Sequence, residues 1–305
     1  MKLIRNTASL SLVGLLLVCN SSLFAQEQVA VYNPNSIDPI AKYEHLFKKR
    51  VWMDINLEEK QNKGFFAKNG YITKLIIDAV KSGELATIYT SDSLVKTKTK
   101  EEFFELMTAS DPAPVDLYDQ DMDYYDGMVV EYDGVNYSAV GDIEYGIIPG
   151  SDPRWKINNK AGKADLFLPQ QVTLIRMMED RIFDKRRSRL YYDIQSFELI
   201  VTGKQNSRTG LEQSLGVFSY KDLEKLFRNH PNEAVWFNTY NTAENKNFAD
   251  AFLLRLFHGA LVKVENPDNL FITDNLSYKT RKDGIMAAEQ IELQLMEKEH
   301  NLWEY

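Results

Sequence analysis

The chain has 305 residues, of which 44% are hydrophobic and 12% aromatic, enough for one large domain or two modest ones and too apolar for wholesale disorder. Lys and Arg total 36 against 44 Asp and Glu, a formal net charge of -8, and a field of that sign opposes phosphate backbones, so no nucleic-acid partner is expected. The single cysteine, Cys19, excludes an internal disulfide and a multi-thiolate metal site.

Lys2 and Arg5 precede an apolar run from Leu10 to Val18, and Ser22-Leu23-Phe24-Ala25 leads to Gln26, so residues 1–25 read as a secretory signal peptide. Its removal takes two cations, no acid and the cysteine, and the net charge goes from -8 to -10. The competing reading is a lipoprotein signal lipidated at Cys19, although Val18 stands where such signals place a small residue. An apolar run of about nine residues is too short for a bilayer that needs ~20, so no direct membrane span is expected.

Residues 26–45 carry Pro34 and Pro39 among Asn33, Asn35, Ser36 and Asp38, which predicts an extended N-terminal arm, free unless a partner holds it. Lys48-Lys49-Arg50 then lead into Val51, Trp52, Met53, Ile55 and Leu57. The alternation of Val51, Met53, Ile55 and Leu57 predicts a half-buried strand, and Asn56 with Glu59 predicts a capping box that opens a short helix. Ile72, Leu75, Ile76, Ala79 and Val80 share one helical face, with Gly83 placed as a C-terminal cap. A strand is expected at Leu85 to Tyr89, and Thr99 with Glu102 forms a second capping box before Phe103, Phe104, Leu106 and Met107. These elements predict a small N-terminal α/β unit over 46–109.

Asp111-Pro112-Ala113-Pro114 breaks the pattern, and Asp116, Asp119, Asp121, Asp123 and Asp126 follow, so 110–127 reads as an acidic linker. Asp133-Gly134 between Met128–Tyr132 and Val135–Val140 predicts a two-residue hairpin. Gln170–Phe183 and Ser188–Val201, rich in β-branched, aromatic and long apolar residues, predict a long antiparallel hairpin closed by Asp184 to Arg187. The cluster Lys185-Arg186-Arg187 with Arg189 reads as a solvated turn. A strand over Gly216–Tyr220, a helix over Lys221–Arg228, a helix from Asn247 through Leu256 to Gly259 and a strand over Leu261–Glu265 complete an α+β domain at 128–275. Ile285, Ala288, Ile291, Leu295 and Leu302 mark a C-terminal amphipathic helix within 276–305. The fold class is therefore mixed α+β: a small helix-strand unit, then a larger domain with long antiparallel hairpins and flanking helices.

No constellation points to chemistry. Asp119, Asp121 and Asp123 begin like a calcium loop, but Tyr124 replaces its glycine and Val130 its closing Glu, which leaves a solvated acidic linker or a loose site. His45, His230, His258 and His300 are scattered, with no two at metal-binding helical spacing. No glycine-rich phosphate loop and no Gly-x-Ser-x-Gly elbow is present. No cofactor, no metal and no catalytic residue is assigned. Trp155, Trp303 and Tyr305 are the candidate interface residues, because aromatic anchors dominate protein interfaces; the competing reading is that the tryptophans pack on their own domain.

Five segments in order resemble the GldN/PorN family of the type IX secretion and gliding machinery. They are Lys49-Arg50-Val51-Trp52 through Ile55, Leu57, Glu59-Lys60 and Asn62; Glu179 through Ser188; Val217-Phe218-Ser219-Tyr220; Phe248-Ala249-Asp250-Ala251-Phe252; and the ending Glu299-His300-Asn301-Leu302-Trp303-Glu304-Tyr305. The chain departs from the family pattern at Arg181, where that pattern carries Trp, at Lys221, where a proline follows the tyrosine, and at Gly64-Phe65-Phe66. The resemblance implies a non-catalytic periplasmic subunit that forms a homo-oligomeric ring with an outer-membrane lipoprotein and contacts the periplasmic part of the inner-membrane motor complex. The reading from residues alone also leaves open an exported hydrolase or ligand-binding protein.

Overall fold

The computed structural model describes residues 31–68, 70–109, 115–158, 166–206, 208–275 and 280–303. The segments expected as the signal peptide with Cys19, the first residues of the arm, the proline break at 111–114 and Tyr305 lie outside the described residues. The strands used below are β1 (His45–Asn56), β2 (Ile88–Tyr89), β3 (Thr97–Lys98), β4 (Asp116–Leu117), β5 (Val129–Tyr132), β6 (Val135–Ala139) and β7 (Trp155–Ile157). They continue with β8 (Leu174–Asp184), β9 (Arg189–Val201), β10 (Gln213–Ser219) and β11 (Ala260–Val264). The helices are α1 (Ile72–Ser82), α2 (Lys100–Leu106), α3 (Tyr220–Asn229), α4 (Phe248–Leu253) and α5 (Arg281–Leu302). The mixed α+β class expected from the sequence is the one found.

The long β8–β9 hairpin is the spine. Its turn is set by Asp184, whose Oδ1 accepts from the backbone N–H groups of Arg186 at 2.8 Å and Arg187 at 3.3 Å. The Arg187 guanidinium reaches Oδ2 at 2.6 Å. β1 pairs with the other side of β8 over its whole length, from His45 opposite Asp184 to Asn56 opposite Leu174. The sheet has seven strands in the order β11-β1-β8-β9-β10-β2-β3, every neighbouring pair antiparallel. Such a sheet needs one apolar face covered. Val51, Met53 and Ile55 of β1, Ile175 and Met177 of β8, and Phe197 and Leu199 of β9 form that face, and they share one core with Ile76, Leu223, Phe227, Phe248 and Phe252 from the helices. Phe252 sits centrally, its ring centroid 4.7 Å from that of Phe65 and 4.8 Å from that of Phe197. Each fully buried phenylalanine stabilises the fold by about 1.5–3 kcal/mol.

The local signals hold where their partners are local. Gly83 adopts φ +88° and donates to the carbonyls of Ala79 and Val80, ending α1 as expected. The Thr99–Glu102 capping box forms at α2, and Thr280 with Asp283 makes another at α5. Asp133 and Gly134 take φ of +52° and +74° in the β5–β6 turn.

Other expectations change. The Asn56–Glu59 capping box does not form: Asn56 Oδ1 accepts from the Glu58 N–H at 2.9 Å, and a 3-10 turn at Lys60–Phe65 follows. Trp52 is buried although it faces away from the core, because its Nε1 donates to Asp92 at 2.8 Å and Lys263 lies 4.2 Å over its ring. The helix from Asn247 stops at Leu253, and Arg255 takes φ +52°. The strand expected from Leu85 is confined to Ile88–Tyr89.

The arm is docked over its described part. Asn33 Nδ2 donates to Gln195 Oε1 at 2.7 Å, Lys221 Nζ to the Pro34 carbonyl at 2.9 Å, and Ile40 and Ala41 are buried.

The expected division into units also reads differently. Residues of the 46–109 stretch and residues beyond 166 fill one core, from Val51 to Leu295. The acidic stretch expected as a linker supplies β4, Tyr118 and Tyr124 to a separate four-stranded sheet, β4-β5-β6-β7. That sheet has its own small core of Tyr124, Val130, Ala139, Ile143 and Trp155. Thr108 bridges Leu166, and the Phe167 N–H donates to the Met107 carbonyl at 2.7 Å, so the chain leaves and rejoins the main body at one point. Residues 115–158 are an insert.

Candidate interaction surfaces

The three candidate anchors have different fates. Trp155 is not exposed: it is the largest side chain of the insert's core, 5.3 Å from the Tyr124 ring, with Nε1 donating to the Ile147 carbonyl at 3.0 Å. Trp155 follows the competing reading, that it packs on its own domain, and its partners stood among the tyrosines of the acidic stretch. Trp303 is 54% exposed and stands edge-on to Phe183 at 5.6 Å. Tyr305 lies outside the described residues.

The aspartates of the insert build turns. Asp119 Oδ1 accepts from the Asp121 N–H at 3.0 Å, Asp123 Oδ1 from Tyr145 at 2.8 Å, and Asp126 Oδ1 from Gly141 at 2.8 Å. Residues 115–158 hold ten Asp and Glu against Arg154 and Lys156, a formal charge of -8 that equals the whole chain's, so the remaining chain is formally neutral. Among the described residues no three His, Cys, Asp or Glu side chains are grouped as a metal site.

On the main sheet, charge is organised in pairs across β1 and β8. Arg176 forms a two-pronged bond with Asp54 at 2.7 and 2.9 Å, and Arg50 does the same with Asp180 at 2.7 and 2.9 Å. Burial pushes the Asp180 carboxyl upward, but hydrogen bonds from Arg50 and Lys48 outweigh it and hold the group below the usual range. Deeper on the opposite face, the fully buried Glu179 is held by Arg181 at 3.0 Å and by Arg255 at 2.7 Å. Arg255 also lies 4.1 Å over the Tyr192 ring. Arg181, where the chain departs from the family pattern, is thus part of this ionic group. The turn cations behave as a solvated cluster: Arg186 and Arg187 are largely exposed, and both reach Glu44.

Two histidines sit in exposed pairs, His230 with Glu84 at 2.8 Å and His258 with Glu59 at 3.0 Å. A cavity of about 380 Å³ lies between α5 and the segment after β11, lined by Lys49, Phe271, Ile291, Leu295 and Lys298. It brings no acid–base–nucleophile set together.

Helix α5 has two unlike faces. Ala287 and Leu295 are buried against the body, with Ala288 and Ile291 packed beside them, and the cavity lies under this side. The other side shows Ile285, Met286, Leu293 and Met296, each more than half exposed, and ends at Trp303. Ile285, grouped from the sequence in one stripe with Ala288, Ile291 and Leu295, stands on the outward side. Met286, Leu293 and Met296 were the residues missed, although their spacing of seven and three was in the sequence. No described helix is long and apolar enough to cross a membrane.

No curated protein matches the chain. A family model does, over residues 40–304, from Ile40 in the arm to beyond the end of α5. The five segments singled out in the sequence all fall within that span except for the final tyrosine, and their described residues include part of β1 and its corner, the end of β8 with the β8–β9 turn, the end of β10, most of α4 and the end of α5. The chain belongs to the family described as gliding motility associated protein GldN.

Proposed function

We propose that this chain is a non-catalytic structural subunit of the type IX protein secretion and gliding machinery. It works in the periplasm, in a homo-oligomeric ring with an outer-membrane lipoprotein, and contacts the periplasmic region of the inner-membrane motor complex. The observation that carries this reading is membership of the gliding-motility family over residues 40–304. The ring, the lipoprotein and the motor contact come from the resemblance, and the exposed apolar side of α5 is compatible with an assembly part.

Native co-purification from envelopes of the source organism tests it, with surface motility and export scored in a deletion strain. The expected result is a high-mass species that contains an outer-membrane lipoprotein, together with joint loss of motility and export restored by the intact gene. A monomer that brings down no envelope partner, in a deletion strain that still glides and secretes, would sink the reading.

A further inference from the structure

We infer that the outward side of α5 is a docking surface for an amphipathic helix of another protein, one whose apolar seam is flanked by Lys and Arg. The inference stands on α5 itself and does not require the ring.

An α-helix buried on one side of a body normally turns polar residues outward. Helix α5 instead repeats apolar residues there: Met286, Leu293, Met296 and Trp303 follow one another at intervals of seven, three and seven, and Ile285 widens the strip. Ile285 is 52% exposed, Met286 58%, Leu293 61% and Met296 51%. At 1.5 Å per residue the strip runs about 26 Å, the length over which two helices pack as a coiled coil. Methionine and leucine at such positions suit a helical ligand, since Met adapts its shape to the knobs it receives. Trp303 supplies an aromatic anchor at one end, already braced against Phe183.

Charge selects the occupant. Glu292 and Glu299 border the strip on one side and Glu297 on the other, with Glu289 within it. None of these four forms an ion pair with another described residue. Lys282 lies in the first turn and His300 between Met296 and Trp303. A second copy of α5 would set glutamate against glutamate, and an anionic membrane surface would be repelled. A helix with basic flanks satisfies both the apolar strip and its borders, in the way that charges beside a coiled-coil seam choose partners.

The test is photocrosslinking in cells of the source organism, with a photoreactive phenylalanine analogue at Leu293 and a control at Tyr240, which is 96% exposed. It is run in the native background and with Glu292→Lys, Glu297→Lys and Glu299→Lys combined. The expected result is an adduct at position 293 only, whose captured peptide has apolar residues at helical spacing between Lys and Arg flanks. Its yield should fall about tenfold on charge reversal. Should the triple variant accumulate poorly, raising salt in permeabilised cells must weaken the native adduct in the same sense. Failure to form an adduct, an adduct with a second copy or with lipid, a captured segment without basic flanks, or a yield indifferent to both charge and salt would each overturn the inference.

Discussion

Asn62 and His258 bind one another as two strands do: Asn62 Nδ2 donates to the His258 carbonyl at 2.9 Å, and the His258 N–H donates to Asn62 Oδ1 at 2.8 Å. The same Nδ2 also donates to the Asn56 carbonyl at 2.7 Å, and the residue is fully buried. One side chain therefore satisfies the backbone of two segments, the corner after β1 and the loop before β11. Asn62→Ala leaves those groups without their side-chain partner, at about 1–3 kcal/mol for each buried group left unsatisfied. With three such groups, we expect a total loss of about 3 kcal/mol or more in urea unfolding. Asn62→Asp, which keeps the shape but loses both donors, should be at least as damaging.

Glu179 is buried between Arg181 and Arg255, the latter arriving from 76 residues further along the chain. Removing one partner of a buried ion pair leaves the other partly uncompensated, which is costlier than losing the attraction alone. Arg255→Met should cost about 2–3 kcal/mol, because Arg181 still holds the carboxylate. Arg255→Lys should recover only part of this, since a single ammonium cannot reproduce the fork and the stacking on Tyr192. Paired unfolding curves of the two variants check the order.

Features that depend on neighbours along the chain were legible in the sequence. Gly83, the Thr99–Glu102 box and Asp133-Gly134 each carry their cause within a few residues, and the β8–β9 hairpin is written in two apolar runs around one polar turn. Asn62 and Glu179 carry no such mark: their meaning lies in His258 and Arg255, distant segments that only the folded sheet brings near. Glu59 misled for the same reason, because its carboxylate goes to His258 rather than back to Asn56. The acidic run from Asp116 looked like a linker because its aspartates hide the tyrosines that build a core around Trp155. On α5 one helical stripe was visible, but the second stripe on the opposite side was not separated from it, and Ile285 was assigned to the wrong one.

The insert's core is small enough to depend on one residue. It has five buried side chains, of which Trp155 is the largest, and a surface whose like charges repel one another. Trp155→Ala removes about 3–5 kcal/mol, more than such a core can spare. We expect the amides of β5 and β6 to lose protection in hydrogen exchange while those of β8 and β9 keep theirs. Added salt should restore part of the protection by screening the aspartates. Simultaneous loss in both sheets would show that the insert and the main core unfold as one unit.

Asp193 gives the fold a pH dependence of unusual sign. It lies opposite Asp180 across the β8–β9 ladder, in a cavity lined by Asn33, Lys42, His45 and Lys48. Burial pushes its carboxyl up to about 6, and Asp180 adds to the effect. The folded state therefore holds a proton that the unfolded chain has released, and this group's contribution is greatest below its unfolded pKa and is lost as pH rises through about 6. Asp180 and Asp184, held below their usual range by arginine, have the opposite sign and lose their contribution in acid, so the wild-type curve mixes the two. Subtraction isolates Asp193. Asp193→Asn should be more stable than wild type by about 1–3 kcal/mol near pH 8 and should lose that advantage near pH 4, where the native carboxyl is already neutral. Urea midpoints of both proteins across this range decide it. A difference that stays constant with pH would mean that the fold leaves the affinity of Asp193 for its proton unchanged.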